Sequence, residues 1–413
     1  MSKADAETPR FSSANSFSSK HMKALRILRT AAVATALALI FTGSASARKW
    51  VTTWATAQQI AEPHNNPPIP LAGETLRQIV QVSIGGNEIR LRFSNRFSQE
   101  DLEMLHVEIA QAKTEGASPD VFPGTERTLS FGGKESVTIK AGEEVYSDPV
   151  RFKLKERMNV AITITYGKAP ANTITSHPGS RTTSYFLGKD AKTDHWYTIE
   201  SIDVKAANKA ASIAVLGDSI TDGRGTTTNG QNRWTDNLSK RLLQNRRTRK
   251  LAVLNFGLGG NCVLRGGNGP TVTNRYEHDL LGFPSVKYII IFEGVNDLGT
   301  TRNGPETAAN VIEVYKNIIA QAHAKGIKVI GATVMPFKHN GYYNESREEG
   351  RQILNNWIRT GGEFDGLIDF DAEMSGKEEP DALNPIYLFE NDWLHPNAQG
   401  YKAMGDCIDL NLF

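Results

Sequence analysis

The chain has 413 residues, with 47 Lys and Arg against 45 Asp and Glu, and a formal net charge of +2. This length allows two domains and a large hydrophobic core. The near balance of charges argues against a polyanionic partner such as nucleic acid. We expect the short basic stretch at 246–250 to be solvated at a helix end.

The N-terminal segment has four parts. A polar, Ser-rich stretch leads into the basic stretch 22–29, an apolar stretch follows at 31–41, and small residues end at Ala47. This order predicts a signal peptide over 1–47, cleaved after Ala47, with Met22 as a second candidate start. The apolar part is short for a stable anchor, and an uncleaved anchor is the alternative. We expect a secreted or periplasmic protein with no stable membrane anchor after cleavage.

The chain contains two cysteines, Cys262 and Cys407. Export would permit a disulfide between them, but one bond cannot form a disulfide scaffold. A Cys262–Cys407 bridge and two free thiols both remain open.

Residues 48–205 have the two-residue period of β-strands. Val80, Val82 and Ile84 alternate with polar neighbours, and the alternation resumes at Ile89 after a glycine-bearing turn. This pattern predicts a hairpin. Similar runs continue to Tyr166 with Pro and Gly between them, so we predict an all-β, sandwich-like N-terminal domain over 48–205.

The role of this first domain is open between two interpretations. Trp50, Trp54 and Trp196 could form an aromatic platform for a sugar, or they could be core residues, which is the more frequent position of tryptophan. The domain could also form one wall of the active site. His177 has no partner that the sequence reveals, and we interpret it as structural.

Residues 206–413 alternate strands with helices. Continuous apolar runs such as 213–216, 251–256 and 286–292 alternate with segments of helical period. Strands buried on both faces and separated by helices are typical of a parallel, doubly wound sheet. We therefore predict an α/β catalytic domain over 206–413.

Groups with catalytic potential follow three of these strands. Ser219 ends the first, Gly260 follows the second, and Asn296 follows the third. Near the C-terminus, Asp392 and His395 share a short loop ahead of a helix. In open α/β sheets, chemistry takes place at the carboxyl ends of the strands.

These residue types can perform acyl transfer. Ser219 can act as the nucleophile, His395 as its base, and Asp392 as the group that orients the imidazole. The N–H groups of Ser219 and Gly260 and the Asn296 amide can stabilise an oxyanion. Each residue alone has a structural interpretation as a helix cap or a tight turn. Their joint placement at one sheet edge favours catalysis.

The combination resembles the SGNH, or GDSL-type, hydrolase superfamily. Its blocks match Gly217-Asp218-Ser219, Gly260, 294–297 and 392–396 in order, and Ile220 stands where the name motif has leucine. No G-x-S-x-G surrounds Ser219, so the elbow of ordinary α/β-hydrolases is absent from this sequence. The resemblance implies a flavodoxin-like three-layer domain and a Ser-His-Asp esterase that needs no metal or other cofactor.

The wider layout resembles a secreted bacterial xylan-esterase-like subgroup. The shared stretches are 50–54, 75–78, 232–234 and 293–297. We therefore expect a secreted serine esterase that deacetylates polysaccharides or oligosaccharides.

Three alternatives remain. The first is a general carboxylesterase or lipase for short acyl or aryl esters. The second is an inactive carbohydrate-binding protein. The third is a metal-dependent deacetylase, in which Asp392 and His395 could ligate zinc, although no second histidine cluster accompanies them.

Overall fold

The computed structural model describes residues 48–413, and the predicted signal peptide lies outside the described residues. The described residues form one compact unit. None of their helices is long and apolar enough to cross a membrane. The predicted limit between two domains at 205/206 stays a prediction. It falls within a strand that ends at Ala207.

Among the described residues, the segment from Arg48 to Ala207 contains strands and one short 3-10 turn. The strands are β1 (Arg48–Ala55), β2 (Gln59–Ile60), β3 (Thr75–Gln81), β4 (Gly86–Ser94), β5 (Leu102–Gln111), β6 (Arg127–Thr128), β7 (Val137–Ile139), β8 (Glu144–Tyr146), β9 (Val150–Leu154), β10 (Asn159–Tyr166), β11 (Thr175–His177), β12 (Ser184–Phe186), β13 (Lys192–Thr193), β14 (Trp196–Tyr197) and β15 (Ile199–Ala207). The turn is Pro63–Asn65.

These strands form three antiparallel sheets. One has the order β1-β15-β4-β8 with β9 also on β4, the second has the order β13-β12-β3-β10-β5-β6 with β7 on β5, and the third is β14-β11-β2. Side chains of the two larger sheets share one hydrophobic core, in which Leu91 and Val204 of the first sheet meet Val80 and Ile162 of the second. The predicted all-β, sandwich-like region is confirmed.

The predicted hairpin between β3 and β4 is wrong. β3 pairs with β10 and β12, whereas β4 pairs with β15, β8 and β9. The chain therefore passes from one sheet to the other at residues 82–85. Alternation predicts strands with one buried face, but it does not say which strand is the neighbour, because a sandwich satisfies the same pattern with either partner.

The rest of the chain alternates strands and helices. The strands are β16 (Ala211–Gly217), β17 (Leu251–Gly257), β18 (Val286–Phe292), β19 (Lys328–Ala332) and β20 (Gly366–Ile368). The α-helices are α1 (Ser219–Asp222), α2 (Trp234–Gln244), α3 (Val272–Tyr276), α4 (Val295–Thr300), α5 (Gly304–Ala324), α6 (Glu345–Thr360), α7 (Phe370–Met374) and α8 (Ala398–Cys407). A π-turn at Glu277–Leu281 and 3-10 turns at Pro385–Tyr387 and Leu410–Leu412 complete the set.

The five strands form a parallel sheet in the order β17-β16-β18-β19-β20. Numbered by their sequence within this sheet, the order is 2-1-3-4-5, that of flavodoxin-like folds. Such sheets bind ligands where the strand order reverses, between the first and third strands. Here that point lies between the carboxyl ends of β16 and β18. The predicted flavodoxin-like α/β fold is confirmed.

The antiparallel region covers β17, an edge strand of the parallel sheet. Thr56 forms a parallel bridge with Asn255. The Ser83 hydroxyl exchanges hydrogen bonds of 3.1 Å with the Val253 N–H and carbonyl. Backbone groups that an uncovered edge would present to solvent are thus partly satisfied.

Candidate active site

Ser219 is held at the carboxyl end of β16 by a tight turn. It is the first residue of α1, and the Asp218 carboxylate caps this helix by accepting a hydrogen bond of 2.8 Å from Ile220 N–H. Gly223, at φ 98°, ends the helix after one turn and donates to the Ser219 carbonyl. Glycine adopts this left-handed conformation without steric cost. The turn leaves the Ser219 side chain at the edge of the sheet.

Hydrogen-bonding contacts link Ser219 to His395 and His395 to Asp392. His395 Nε2 is 2.8 Å from Ser219 Oγ, and Nδ1 is 2.6 Å from Asp392 Oδ2. The other oxygen of Asp392 accepts hydrogen bonds from the Leu394 and His395 N–H groups at 2.9 and 2.8 Å. Burial acts to raise the pKa of Asp392, but these hydrogen bonds outweigh it and the pKa lies below its ordinary value. Asp392 is therefore an anion suited to orient an imidazole.

The loop that carries Asp392 and His395 ends at an asparagine cap. Asn397 is the N-cap of α8, and the helix begins at Ala398. The Asn397 side chain accepts from the Gln399 and Gly400 N–H groups. An asparagine cap satisfies these free donors better than a proline can.

Three N–H donors converge near Ser219 at the ends of three strands. Within residues 48–413, the N–H groups of Ser219 and Gly260 have no protein acceptor. Asn296 Nδ2 donates to the Asn261 carbonyl at 2.8 Å, which leaves its second N–H available. Gly260 has φ 70°, and a Cβ there would come within 2.7 Å of the Asn268 amide. The predicted oxyanion donors thus line the same cleft as Ser219 and His395.

Two residues that the sequence did not reveal support this arrangement. The Tyr342 hydroxyl donates to Asn296 Oδ1 at 3.0 Å, and the Asn340 amide donates to the Asp392 carbonyl at 2.6 Å. Both come from the connection between β19 and α6. They therefore link one loop to the Asn296 amide and to the loop that carries His395.

Asp297 holds the chain that follows Gly260. Its carboxylate accepts hydrogen bonds from the Val263 and Leu264 N–H groups at 2.7 and 2.9 Å. Gly294 is the N-cap of α4, so Asn296 and Asp297 belong to the first turn of the helix and are not its cap. Asp297 is a positioning residue for the loop that carries Gly260.

A buried arginine supports the sheet edge from behind. Arg275 is 1% exposed and donates to Asp279 and Asn261 at 2.9 Å and to the Gly217 carbonyl at 3.2 Å. Glu293 lies 3.3 Å from the same guanidinium, yet burial and the nearby Asp218 raise the pKa of Glu293 well above its ordinary value.

The site opens into a cleft of about 410 Å³. One wall comes from the α/β part and includes Arg224, Asn268 and Tyr342. The opposite wall comes from the antiparallel region and includes Glu62 and Arg181. Of the roles considered for this region, a wall of the active site is the one that the geometry fits.

His177 joins the two walls. Its Nδ1 lies 2.8 Å from the Ala57 carbonyl and its Nε2 lies 3.0 Å from Asp222 Oδ1, on the helix that begins at Ser219. His177 and Asp222 are each 3% exposed. No partner for His177 is visible in the sequence, because Asp222 is distant in the chain and lies on α1, in the α/β part of the protein.

The tryptophans are mainly core residues. Trp54 and Trp196 are buried, with ring centroids 5.1 Å apart in an edge-to-face contact. Trp50 is half-buried beneath the Arg90 guanidinium, 4.8 Å from its ring centroid. None of the three lines the cleft.

Cys262 and Cys407 are free thiols.

Among the described residues, one group of side chains lies close enough together to bind a metal ion. Glu144, Glu200 and His278 lie close enough together to share an ion. Arg92 Nη2 already lies 2.7 Å from Glu200, however. Hydrogen bonds that the His278 ring donates to the Asp279 and Glu144 carboxylates outweigh burial and raise the pKa of His278 to about 9. A protonated imidazole has no lone pair for a metal. The group is therefore a buried ion-pair network.

The comparison with protein families decides the assignment. Residues 215–403 match the model of the GDSL-like lipase/acylhydrolase family. This part of the chain belongs to the GDSL-like lipase/acylhydrolase family. The GDSL-like domain contains Ser219, Gly260, Asn296 and His395, and the protein is an ester hydrolase. No curated protein sequence matched the chain significantly.

Solved structures similar to the GDSL-like domain include three bacterial proteins. A GDSL-like lipase from Bacteroides thetaiotaomicron is 21% identical, with 49% of this chain and 87% of that chain covered and a TM-score of 0.36. A catalytic mutant of an acetylxylan esterase from Geobacillus stearothermophilus is 18% identical, with 48% and 91% covered and a TM-score of 0.37. A member of the lipolytic G-D-S-L family from Veillonella parvula is 19% identical, with 48% and 96% covered and a TM-score of 0.35.

Proposed function

We propose that the protein is a secreted serine esterase that removes acetyl groups from polysaccharides or their oligosaccharides. The observation that carries this proposal is the hydrogen-bonded chain from Ser219 through His395 to Asp392, with distances of 2.8 and 2.6 Å. Export rests on the signal peptide predicted from residues 1–47.

The first half of the reaction forms an acyl-enzyme. Ser219 Oγ attacks the ester carbonyl carbon while His395 Nε2 takes the hydroxyl proton, and Asp392 stabilises the resulting imidazolium. The negative charge moves to the carbonyl oxygen, where the N–H groups of Ser219, Gly260 and Asn296 can donate to it. The intermediate collapses, the bond to the alcohol breaks, and His395 returns its proton to the leaving alcohol.

The second half regenerates the enzyme. His395 takes a proton from a water molecule, whose oxygen attacks the acyl carbon. The bond to Ser219 Oγ then breaks and the serine recovers its proton from His395. The products are a carboxylic acid, acetic acid in the proposed reaction, and the free hydroxyl of the sugar.

The lining of the cleft supports a polar substrate. Charged and amide side chains dominate it, and Leu394 is the one aliphatic residue besides Pro178 among the described residues that line it. A long acyl chain needs an apolar channel, whereas sugar hydroxyls need many hydrogen-bonding partners. The cleft therefore favours sugar esters with a small acyl group over lipids.

The test measures acetate release from acetylated xylan beside the hydrolysis of p-nitrophenyl acetate and a long-chain p-nitrophenyl ester. We expect the first two substrates to react and the third to react poorly. Ser219→Ala should abolish all turnover and labelling by a fluorophosphonate. Ser239→Ala is the matched control, because this buried hydroxyl has no hydrogen-bond partner among the described residues.

Each outcome has a distinct meaning. Full activity in Ser219→Ala would contradict the mechanism. Activity on p-nitrophenyl acetate without acetate release from xylan would keep the esterase and remove this polysaccharide as substrate. Preference for the long-chain ester would favour the lipase alternative.

A further inference from the structure

Two arginines line the cleft without an acidic partner. Arg181 comes from the connection between β11 and β12, and Arg224 follows α1; both line the cleft that contains Ser219 and His395. Within residues 48–413, neither guanidinium forms an ion pair with a carboxylate. Arginine side chains that carry no counter-charge in a substrate cleft are available to an anionic ligand.

Arg181 is held in an unusual conformation. Its φ is 51°, in the left-handed region that side chains other than glycine rarely adopt. Its carbonyl accepts a hydrogen bond of 2.9 Å from Asn229 N–H, which ties this backbone to the α/β part of the chain. Its Nε is buried and has no acceptor among the described residues. No protein acceptor therefore holds the guanidinium at this nitrogen.

The backbone of Arg224 is fixed next to the nucleophile. Its N–H donates to the Ser219 carbonyl at 2.9 Å, and its own carbonyl accepts from the Tyr401 hydroxyl at 2.6 Å. The side chain is exposed to the cleft. A group bound by Arg224 would therefore lie near the reacting ester.

The acidic side chains that line the cleft all have partners. Asp222 is bonded to His177 at 3.0 Å, and Glu62 accepts from Asn65 at 3.0 Å. Asp194 lies 3.8 Å from His195. Each of these carboxylates thus has a partner among the described residues, whereas the Arg181 and Arg224 guanidinium groups have no acidic partner there.

We infer that Arg181 and Arg224 bind the carboxylate of an acidic sugar, so that the preferred substrate is an acetylated saccharide bearing a uronic acid close to the ester. This inference rests on the proposed esterase function. A guanidinium presents a planar set of donors that matches a carboxylate with two parallel hydrogen bonds. Such contacts orient the sugar so that its ester meets Ser219.

The experiment compares two matched substrates. Methyl glucuronoside and methyl glucoside, each O-acetylated on its ring hydroxyls, differ in a carboxylate against a hydroxymethyl group. We expect wild-type kcat/KM to be on the order of tenfold higher for the acidic ester. Arg181→Gln and Arg224→Gln should each bring the ratio of the two kcat/KM values towards one. Added salt should lower the wild-type ratio, because it screens the exposed part of the contact.

Arg246→Gln is the matched control, since this exposed arginine lies outside the cleft and should keep the wild-type ratio. Equal kcat/KM values for the two esters would overturn this inference and leave the esterase function standing. A ratio of kcat/KM values that stays at the wild-type value in both Arg181→Gln and Arg224→Gln would do the same. A stronger preference for a sulfated acetyl glucoside would overturn the assignment to a carboxylate. Failure to hydrolyse p-nitrophenyl acetate would overturn the esterase function and this inference with it.

Discussion

The Tyr342 hydroxyl donates a hydrogen bond of 3.0 Å to Asn296 Oδ1. Because the amide nitrogen of Asn296 also donates to the Asn261 carbonyl, both ends of this amide are held. Its remaining N–H is therefore directed by two contacts from different loops. The orientation of the Asn296 amide, an oxyanion donor, therefore depends on Tyr342, which belongs to none of the motifs found in the sequence.

Tyr342→Phe removes this hydroxyl and keeps the ring. We expect kcat to fall about three- to tenfold with little change in KM, because one neutral hydrogen bond contributes about 0.5–1.5 kcal/mol. Steady-state kinetics with p-nitrophenyl acetate measure both constants. Tyr343→Phe is the control, since its hydroxyl has no protein hydrogen bond among the described residues. Equal effects of the two variants would argue against an orienting role.

Asn296→Ala removes the side-chain donor itself. We expect kcat to fall by roughly 10²–10³ with little change in KM, as the loss of a contact made in the transition state does. The double variant with Tyr342→Phe should be no slower than Asn296→Ala alone, because Tyr342 acts through Asn296. A further loss in the double variant would show that Tyr342 has a separate function.

Asp392→Asn tests the orientation of His395. An amide at this position can present an N–H to Nδ1 and so favour the wrong imidazole tautomer. We expect kcat to fall by roughly 10⁴ while the fold is kept, as in other serine hydrolases with this arrangement. Circular dichroism and thermal unfolding check the fold. A loss below tenfold would contradict the role assigned to Asp392.

His177→Ala leaves Asp222 as a buried carboxylate without its partner. Removing one member of a buried pair costs about 3–5 kcal/mol, so we expect a clear decrease in Tm. The double variant with Asp222→Ala should regain part of this loss, because it removes the unpaired charge. A double variant whose loss equals the sum of the single losses would show that the two side chains are not energetically coupled.

The network around His278 predicts how stability depends on pH. His278 contacts Glu144, Asp279 and Glu200, with Arg92 on the far side of Glu200. Its pKa is raised from 6.5 to about 9 in the folded state. The protonated imidazole therefore stabilises the fold fully below pH 6.5, and this contribution is lost as the pH rises through about 9. Burial also raises the pKa of Glu200, to about 8, so its ionisation acts in the same direction.

We expect Tm to fall between pH 6.5 and 9, and to fall less in His278→Gln. His323→Gln is the control, because His323 forms an exposed pair with Asp365. An equal decrease in wild type and His278→Gln would contradict the prediction.

Chelators should leave Tm and turnover unchanged, since Arg92 already provides a positive charge within this group.

The parallel sheet and the central residues of the site could be predicted from the sequence. Ser219, Gly260 and Asn296 follow continuous apolar strands, and parallel strands bring their carboxyl ends to one edge. His395 and Asp392 are close in the chain, so their contact needs little of the fold. These predictions depend on local patterns that the tertiary structure does not override.

The remaining features depend on contacts between distant segments. Tyr342 and Asn340 lie on a loop whose path is set by how it closes over the site. The partner of His177 becomes visible only when β11 packs beside α1. The pairing of β3 with β10 instead of β4 was hidden for a related reason, because alternating hydrophobicity reports a buried face and not a neighbour.

Because the antiparallel region covers the edge strand β17, the two halves of the protein cannot be separated without loss. Thr56 and Ser83 satisfy backbone groups of this strand, and Arg181 and Glu62 complete the cleft from the same side. A fragment that began at Ala211 would carry Ser219 and His395 but would present an open strand edge and half a binding surface. The motif-bearing half is thus not a transplantable module, and a chimaera should exchange both halves together.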